Sequence, residues 1–210
     1  DISRAARVIE ERKRHTLQFF DHIAPRWELF KGEIIGDFDL NQAIFKDVGT
    51  YAVGVDLGCG TGDLLDVMRA HAEKIIGVDS SPRMLEEARK RFRDREGAIE
   101  IRLGEIEHLP LGDGEADLAV ISLVLQYLAR PEAAISEVSR ILKQGGRFIL
   151  ADFEKHGQEM LRNEYGARWL GFASGEVTSW LEESGFTLER VAACPLENGL
   201  PLTIYYAIRN

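Results

Sequence analysis

Apolar runs and polar interruptions succeed one another along this chain in a way that predicts strand after helix. Val53-Gly54-Val55-Asp56-Leu57 is a short apolar run ending on an acid and opening into Gly58-Cys59-Gly60-Thr61-Gly62, which predicts a strand and a tight turn. Asp63-Leu64-Leu65-Asp66-Val67-Met68 then spaces its apolar residues as an amphipathic helix does, and Lys74-Ile75-Ile76-Gly77-Val78 is a second strand ending at Asp79. Ser81 is placed to cap the next helix, with Pro82 at its first position. Further strands are expected at 98–103 and at Ala116–Ser122, the latter buried by its continuous apolar run. A helix at 131–142 is stopped by Lys143-Gln144-Gly145-Gly146-Arg147 before a strand at 148–153. A helical insertion over 154–172, a helix at Ser174–Glu183 and strands at 186–193 and 202–208 close the chain, the last two as an antiparallel hairpin. Strands alternating with helices imply an α/β fold: a mostly parallel sheet with helices on both faces.

Ahead of this alternation, residues 1–31 read as mainly helical. Arg4, Arg7, Glu10, Glu11, Arg12, Lys13 and Arg14 form its solvated face, or else a linker from an upstream domain. An aromatic patch from Phe19 to Phe30 follows; Phe20, Trp27 and Phe30 are either core or a lid that folds over the glycine turn and excludes water. Residues 32–50 are a second, weakly patterned helical stretch. The division is a helical cap at 1–50 and a nucleoside-binding unit at 51–210, together one compact domain.

Composition narrows the class. At 210 residues, 45% hydrophobic and 29% charged, the chain has the make-up of a soluble globular protein, and no run approaches the roughly 20 apolar residues of a membrane span. A net charge of -9 argues against nucleic acid being held by this chain itself. Cys59 and Cys194 are the two cysteines, so neither a disulfide framework nor a metal cluster is expected, and a reducing cytoplasm fits. The first residue is Asp1, which leaves room for an upstream segment such as a DNA-binding domain; a homodimer is equally open.

The chemistry concentrates at the glycines. A strand, a glycine turn, a helix and a second strand ending in an acid form a nucleoside-binding unit in which Asp79 accepts hydrogen bonds from ribose hydroxyls. The dinucleotide fingerprint needs G-x-G-x-x-G to face a pyrophosphate; here the spacing is G-x-G-x-G and Asp56 precedes it, which repels phosphate and suits a cation. S-adenosylmethionine offers ribose, adenine, sulfonium and ammonium groups and no phosphate. On that reading Met84 covers the adenine ring, Glu105 accepts from its exocyclic amine, and Ile106 packs on it, beside Gly104. Cys59 and Ser80 belong to the same two loops, and Ser122, Gln126 and Tyr127 supply polar groups near the methyl donor. The plainer alternatives are a core methionine, a surface acid and bystander polar groups.

Asp56-Leu57-Gly58-Cys59-Gly60-Thr61-Gly62, Asp79-Ser80-Ser81, the segment from Gly104 to Pro110 and Arg140-Ile141-Leu142-Lys143-Gln144-Gly145-Gly146-Arg147 together resemble the class I S-adenosylmethionine-dependent methyltransferases. The segment from Phe19 to Trp27, Asp152-Phe153-Glu154-Lys155-His156 and Arg168-Trp169-Leu170-Gly171-Phe172 further resemble methyltransferase domains fused to winged-helix arsenical-resistance-type regulators. The resemblance implies a Rossmann-like seven-stranded sheet with an antiparallel last strand and extra N-terminal helices. It also implies that Asp56, Gly58, Gly60 and Gly62 line the methionine moiety, that Asp79 takes the ribose, and that Glu105 with Ile106 holds the adenine. Gln126-Tyr127 departs from the Leu-His pair common in relatives, Glu105 replaces the customary Asp, and no cysteine arrangement suits arsenite.

A sulfonium methyl is already activated, so such an enzyme works mainly by alignment of donor and acceptor. A small-molecule acceptor is expected, and should it need deprotonation, His156 beside Asp152 is the candidate base. Two rivals stand beside this reading. One is a module that binds S-adenosylmethionine as a signal for a transcriptional regulator and transfers nothing. The other is a nicotinamide oxidoreductase, which needs the pyrophosphate loop this chain lacks.

Overall fold

The computed structural model describes residues 2–93 and 99–210. Ala98, the expected first residue of the third strand, and the side chain of Arg4 lie outside the described residues. Seven strands form one sheet: β1 (Tyr51–Leu57), β2 (Ala72–Asp79), β3 (Ile99–Leu103), β4 (Ala116–Ser122), β5 (Leu142–Phe153), β6 (Phe186–Pro195) and β7 (Pro201–Arg209). Their order is β3-β2-β1-β4-β5-β7-β6. The first five run parallel, and β7 lies antiparallel between β5 and β6. The sheet and its antiparallel last strand are those expected from the sequence.

Strand alternation sends successive side chains to opposite faces. Val55, Leu57, Ile76, Val78, Ala119 and Ile121 pack on one face, against α6 (Pro131–Ile141) and α8 (Ser174–Glu183). Ile75, Leu118, Val120 and Ile149 face the other way, into a core shared with α3 (Leu40–Phe45), α4 (Asp63–Met68) and Leu85 of α5 (Pro82–Phe92). In α5 the expected cap is realised: Ser81 Oγ accepts from the Met84 amide at 3.1 Å. Two N-terminal helices, α1 (Ile2–Ile23) and α2 (Trp27–Ile35), are joined by a single 3-10 turn at Ala24–Arg26. The second helical stretch expected over 32–50 is broken, because α2 stops at Gly36, whose φ of +62° no helix continues.

Two further expectations change. The glycines at 145 and 146 do not end a loop but lie inside β5, which begins at Leu142. Leu142 pairs with Ala116 and Arg147 with Leu118, so the extra residues bulge out of the strand rather than preceding it. The 154–172 insertion holds one short helix, α7 (Glu159–Asn163), and is otherwise irregular. Its backbone is satisfied by neighbours instead: Lys155 and His156 amides donate to Phe172 and Leu170 carbonyls, and Arg168 and Trp169 amides to the Gln126 carbonyl. No helix among the described residues is long and apolar enough to cross a membrane.

Because β1 to β5 are parallel, the residues after Leu57, Asp79, Leu103 and Ser122 emerge at one edge. At that edge β1 sits between β2, which precedes β3 outward, and β4, where the strand order reverses. Such a reversal opens a crevice in which α/β proteins bind ligands.

Candidate functional site

The glycine loop owes its shape to backbone geometry. Gly58, Gly60 and Gly62 have φ of +81°, +52° and +84°, a region that side chains disfavour. A Cβ on Gly58 would stand 2.5 Å from Val124 Cγ2, and one on Gly62 2.7 Å from Phe92 Cε2. The amides of Gly58 and Cys59 donate to the Val78 carbonyl at 2.7 and 3.0 Å, fastening the loop to the end of β2. Asp79 completes the tie: one carboxylate oxygen accepts from the Gly60 amide at 2.9 Å and the other from the Ser81 amide at 2.8 Å. Burial pushes its carboxyl above the usual aspartate range, with the Ser81, Gly60 and Ser80 amides pulling back.

Asp56 is 2% exposed. Burial first, then the charge of Asp63, push its carboxyl well above the ordinary value; Lys31 opposes them and Asp79 adds to them. A buried acid among acids is a place where an incoming cation is favoured. Cys59 is buried, and burial together with Asp79 and Asp56 pushes its thiol well up, which leaves it unreactive.

These groups surround a cavity of about 480 Å³. Asp56, Gly58, Cys59 and Gly60 form one wall; Asp79, Ser80 and Met84 form the next. Gly104, Glu105 and Ile106 lie at one end, and Ser122 and Tyr127 border the other side. The Ser122 hydroxyl is buried without a partner. Phe20 and Trp27 line the same cavity from α1 and α2. Phe20 makes edge-to-face contacts with Trp27 at 5.7 Å and Tyr127 at 4.8 Å, so the three rings roof the site. A Cβ on Gly60 would lie 3.5 Å from the Trp27 indole nitrogen, which sets that roof directly against the glycine loop.

Three of the expected residues do not line the cavity. Gly62 turns the chain into α4 and faces Phe92 on α5. Gln126 and Tyr127 lie in a 3-10 turn, where neighbours point about 120° apart. Tyr127 therefore meets the cavity while Gln126, 2% exposed, anchors the insertion through its carbonyl and keeps an unpartnered side-chain oxygen. His156 is carried away because the chain leaves β5 to pair with 170–172. Its Nδ1 accepts from the Gln158 amide at 3.1 Å, its ring meets Phe153 at 5.9 Å, and burial lowers its basicity. Asp152, its expected neighbour, is spent on backbone: it accepts from the Leu125 and Phe153 amides at 2.8 Å each.

Other residues join the site unannounced. Lys13 Nζ bridges Glu105 at 2.9 Å and Glu107 at 2.8 Å instead of standing on the solvated face expected from the sequence. The missed signal is its spacing: Lys13, Leu17 and Phe20 fall at i, i+4 and i+7, one stripe of α1, and all three line the cavity. Lys31 of α2 pairs with Asp63 at 2.7 Å, and Asn41 of α3 donates to the same oxygen at 3.1 Å. Among the described residues no cluster of three or more His, Cys, Asp or Glu side chains is placed to hold a metal.

The arrangement fits a nucleoside that carries positive charge and no phosphate: an acid fixed at the end of β2, a glycine wall allowing close approach, and buried acids beyond. Comparison with known proteins gives the same class. A family described as a methyltransferase domain matches residues 55–150. A demethylmenaquinone methyltransferase of Symbiobacterium thermophilum is 30% identical over 175 residues, covering 78% of this chain and 68% of that protein. An uncharacterized 37.1 kDa protein in a Streptomyces fradiae transposon is 43% identical over 101 residues, 47% of this chain and 29% of its own length. The solved structure of an S-adenosylmethionine-dependent methyltransferase from Thermotoga maritima shares the fold, with a TM-score of 0.74 at 24% identity over 93% of this chain and all of that one. The chain belongs to the class I S-adenosylmethionine-dependent methyltransferases, and S-adenosylmethionine is the cofactor of that family. It spans 29%, 66% and 48% of the length of three of the curated relatives it matches.

Proposed function

We propose that this chain transfers the methyl group of S-adenosylmethionine to a small, partly apolar acceptor held between the glycine loop and the N-terminal helices. The observation that carries the acceptor's character is the roof of Phe20, Trp27 and Tyr127, which faces the cofactor wall across one cavity. A ring-bearing acceptor of the kind named for the Symbiobacterium relative suits such a roof.

When bound, the cofactor supplies a methyl group already activated on sulfur. Asp79 accepts from the ribose hydroxyls, Glu105 and Ile106 hold the adenine, and Asp56 answers the positive charge of the methionine end. The aromatic roof excludes water and fixes the acceptor in line with the methyl, so catalysis is by proximity and orientation. The acceptor's nucleophilic atom gains the methyl, its proton departs to solvent, and the bonding pair stays on sulfur. Burial and the charge of Asp152 push the Tyr127 phenol well up, so it remains protonated and does not act as a base.

Calorimetric titration with S-adenosylmethionine, followed by transfer of labelled methyl to a panel of quinols, phenols and amines, tests the reading. Binding with methylation of an apolar ring acceptor supports it. Binding with no acceptor methylated favours a sensing module, and no binding by the folded chain refutes it.

A further inference from the structure

The charges around the cavity leave one group of the cofactor unanswered. S-adenosylmethionine brings two positive groups, sulfonium and ammonium, and one negative, its carboxylate. Among the described residues lining the cavity, the cations are Lys13, Arg14 and Lys31. Lys13 is committed to Glu105 and Glu107 at the adenine end, and Arg14 is exposed on α1. Lys31 stands at the glycine-loop end, with its side chain 14% exposed and its Nζ 2.7 Å from Asp63 Oδ2. Asn41 closes the cluster: its Oδ1 lies 3.4 Å from the same Nζ, and its Nδ2 donates to Asp63. An ammonium has three donor hydrogens, and Asp63 and Asn41 take two of them.

Electrostatics agree with that placement. Burial pushes the Asp63 carboxyl up, yet Lys31's charge and hydrogen bond, helped by Asn41 and the Leu64 amide, hold it below the usual range. Lys31 also acts on Asp56, against the acids that raise it. The lysine therefore serves the wall where the methionine end is expected, and it comes from α2, outside the residues 55–150 that match the methyltransferase family.

On the strength of the methyltransferase reading, we propose that Lys31 binds the carboxylate of the cofactor, sharing its ammonium between Asp63 and that carboxylate and so drawing α2 onto the occupied site. The N-terminal helices are then part of cofactor recognition as well as a roof over the acceptor. A lysine suits the task because its donors rotate around a point charge and can serve two acceptors at once.

Two ligands separate this role from a structural one. S-adenosylhomocysteine keeps the amino-acid end, whereas 5′-methylthioadenosine keeps adenosine and the thioether but lacks it. Calorimetry on Lys31→Met is expected to show S-adenosylhomocysteine weakened by about 10- to 100-fold, the worth of a hydrogen bond to a charged group. Binding of 5′-methylthioadenosine should be unchanged, and Lys31→Arg should recover much of the loss. Equal weakening of both ligands would overturn the proposal in favour of a role in holding α2, and no weakening of either would make Lys31 merely the counter-ion of Asp63. Wild-type protein that bound neither ligand would overturn the methyltransferase reading itself.

Discussion

Replacing Gly60 by alanine should separate the fold from the site. Gly60 has φ of +52°, in the left-handed region that costs an L-residue about 1–2 kcal/mol. A Cβ there meets nothing closer than Trp27 Nε1 at 3.5 Å and Met84 Sδ at 3.9 Å, so no clash adds to that strain. In a chain of 210 residues this corresponds to a melting temperature lower by about 2–8 °C. The new methyl group, however, stands in the cavity between the roof and the loop, where the cofactor must lie. Forcing one extra methyl into a packed contact costs about 1–3 kcal/mol, or about 5- to 150-fold in affinity. Thermal denaturation and S-adenosylhomocysteine calorimetry on one preparation read both quantities. The comparison is Gly58→Ala, where φ of +81° combines with a Cβ 2.5 Å from Val124, and stability rather than affinity should fall first. A folded Gly60→Ala protein with wild-type affinity would refute the close approach of cofactor to loop.

Three other outcomes are expected. Asp79→Ala removes the proposed ribose acceptor and strips the Gly60 and Ser81 amides of their partner, at about 1–3 kcal/mol for each buried group left unsatisfied; calorimetry should show S-adenosylhomocysteine binding lost, and retained affinity would dismiss the ribose assignment. Asp152 is pushed up to about 7 by burial, against the Phe153, Leu125, Val124 and Gln126 amides. A proton kept by the folded chain and lost by the unfolded one makes stability fall as pH rises from about 4 to about 7, by up to about 1.4 kcal/mol per unit. Urea midpoints should therefore decline between pH 5 and 7 and level off above, with Asp152→Asn flattening the profile; a wild-type midpoint rising over that window contradicts the buried proton. His156→Ala should leave both cofactor affinity and methyl transfer intact, since its ring is turned from the cavity, and a selective loss of transfer would restore it as the base.

What the sequence disclosed was what local pattern can encode. Three alternating glycines, an acid at the end of each of two strands, and Ser81-Pro82 at a helix start each act within a few residues of themselves, and each was found where expected. Orientation within a turn is a different matter: Gln126 and Tyr127 are adjacent polar residues, and only the 3-10 geometry decides which faces the cavity. Gly145-Gly146 reads as a stop because glycine permits a turn, but pairing with β4 absorbs it as a bulge. His156 looked catalytic from its place after β5, yet the carbonyl of Leu170, far along the chain, sets its direction. Charged residues on α1 were the largest omission, since a lysine on a mostly polar helix reads as solvated until its partner glutamates are known.

The division between legible and illegible parts follows the division of labour in the site. Asp56, Asp79, Glu105 and Ile106 all fall within the 55–150 segment that matches the methyltransferase family, and on the proposed reading they make the floor under the cofactor. Lys13, Phe20, Trp27 and Lys31 lie outside it and make the roof. The floor's residues sit in short local patterns, glycines in alternation and acids at strand ends, and are read from them directly. The roof was legible only in part: the aromatic run disclosed Phe20 and Trp27, whereas Lys13 and Lys31 had to be located by geometry. The same fold can serve many acceptors by changing the residues that line its cavity. For this chain it follows that exchanging residues 1–50 for those of a relative should move acceptor choice more than it moves the recognition of ribose and adenine.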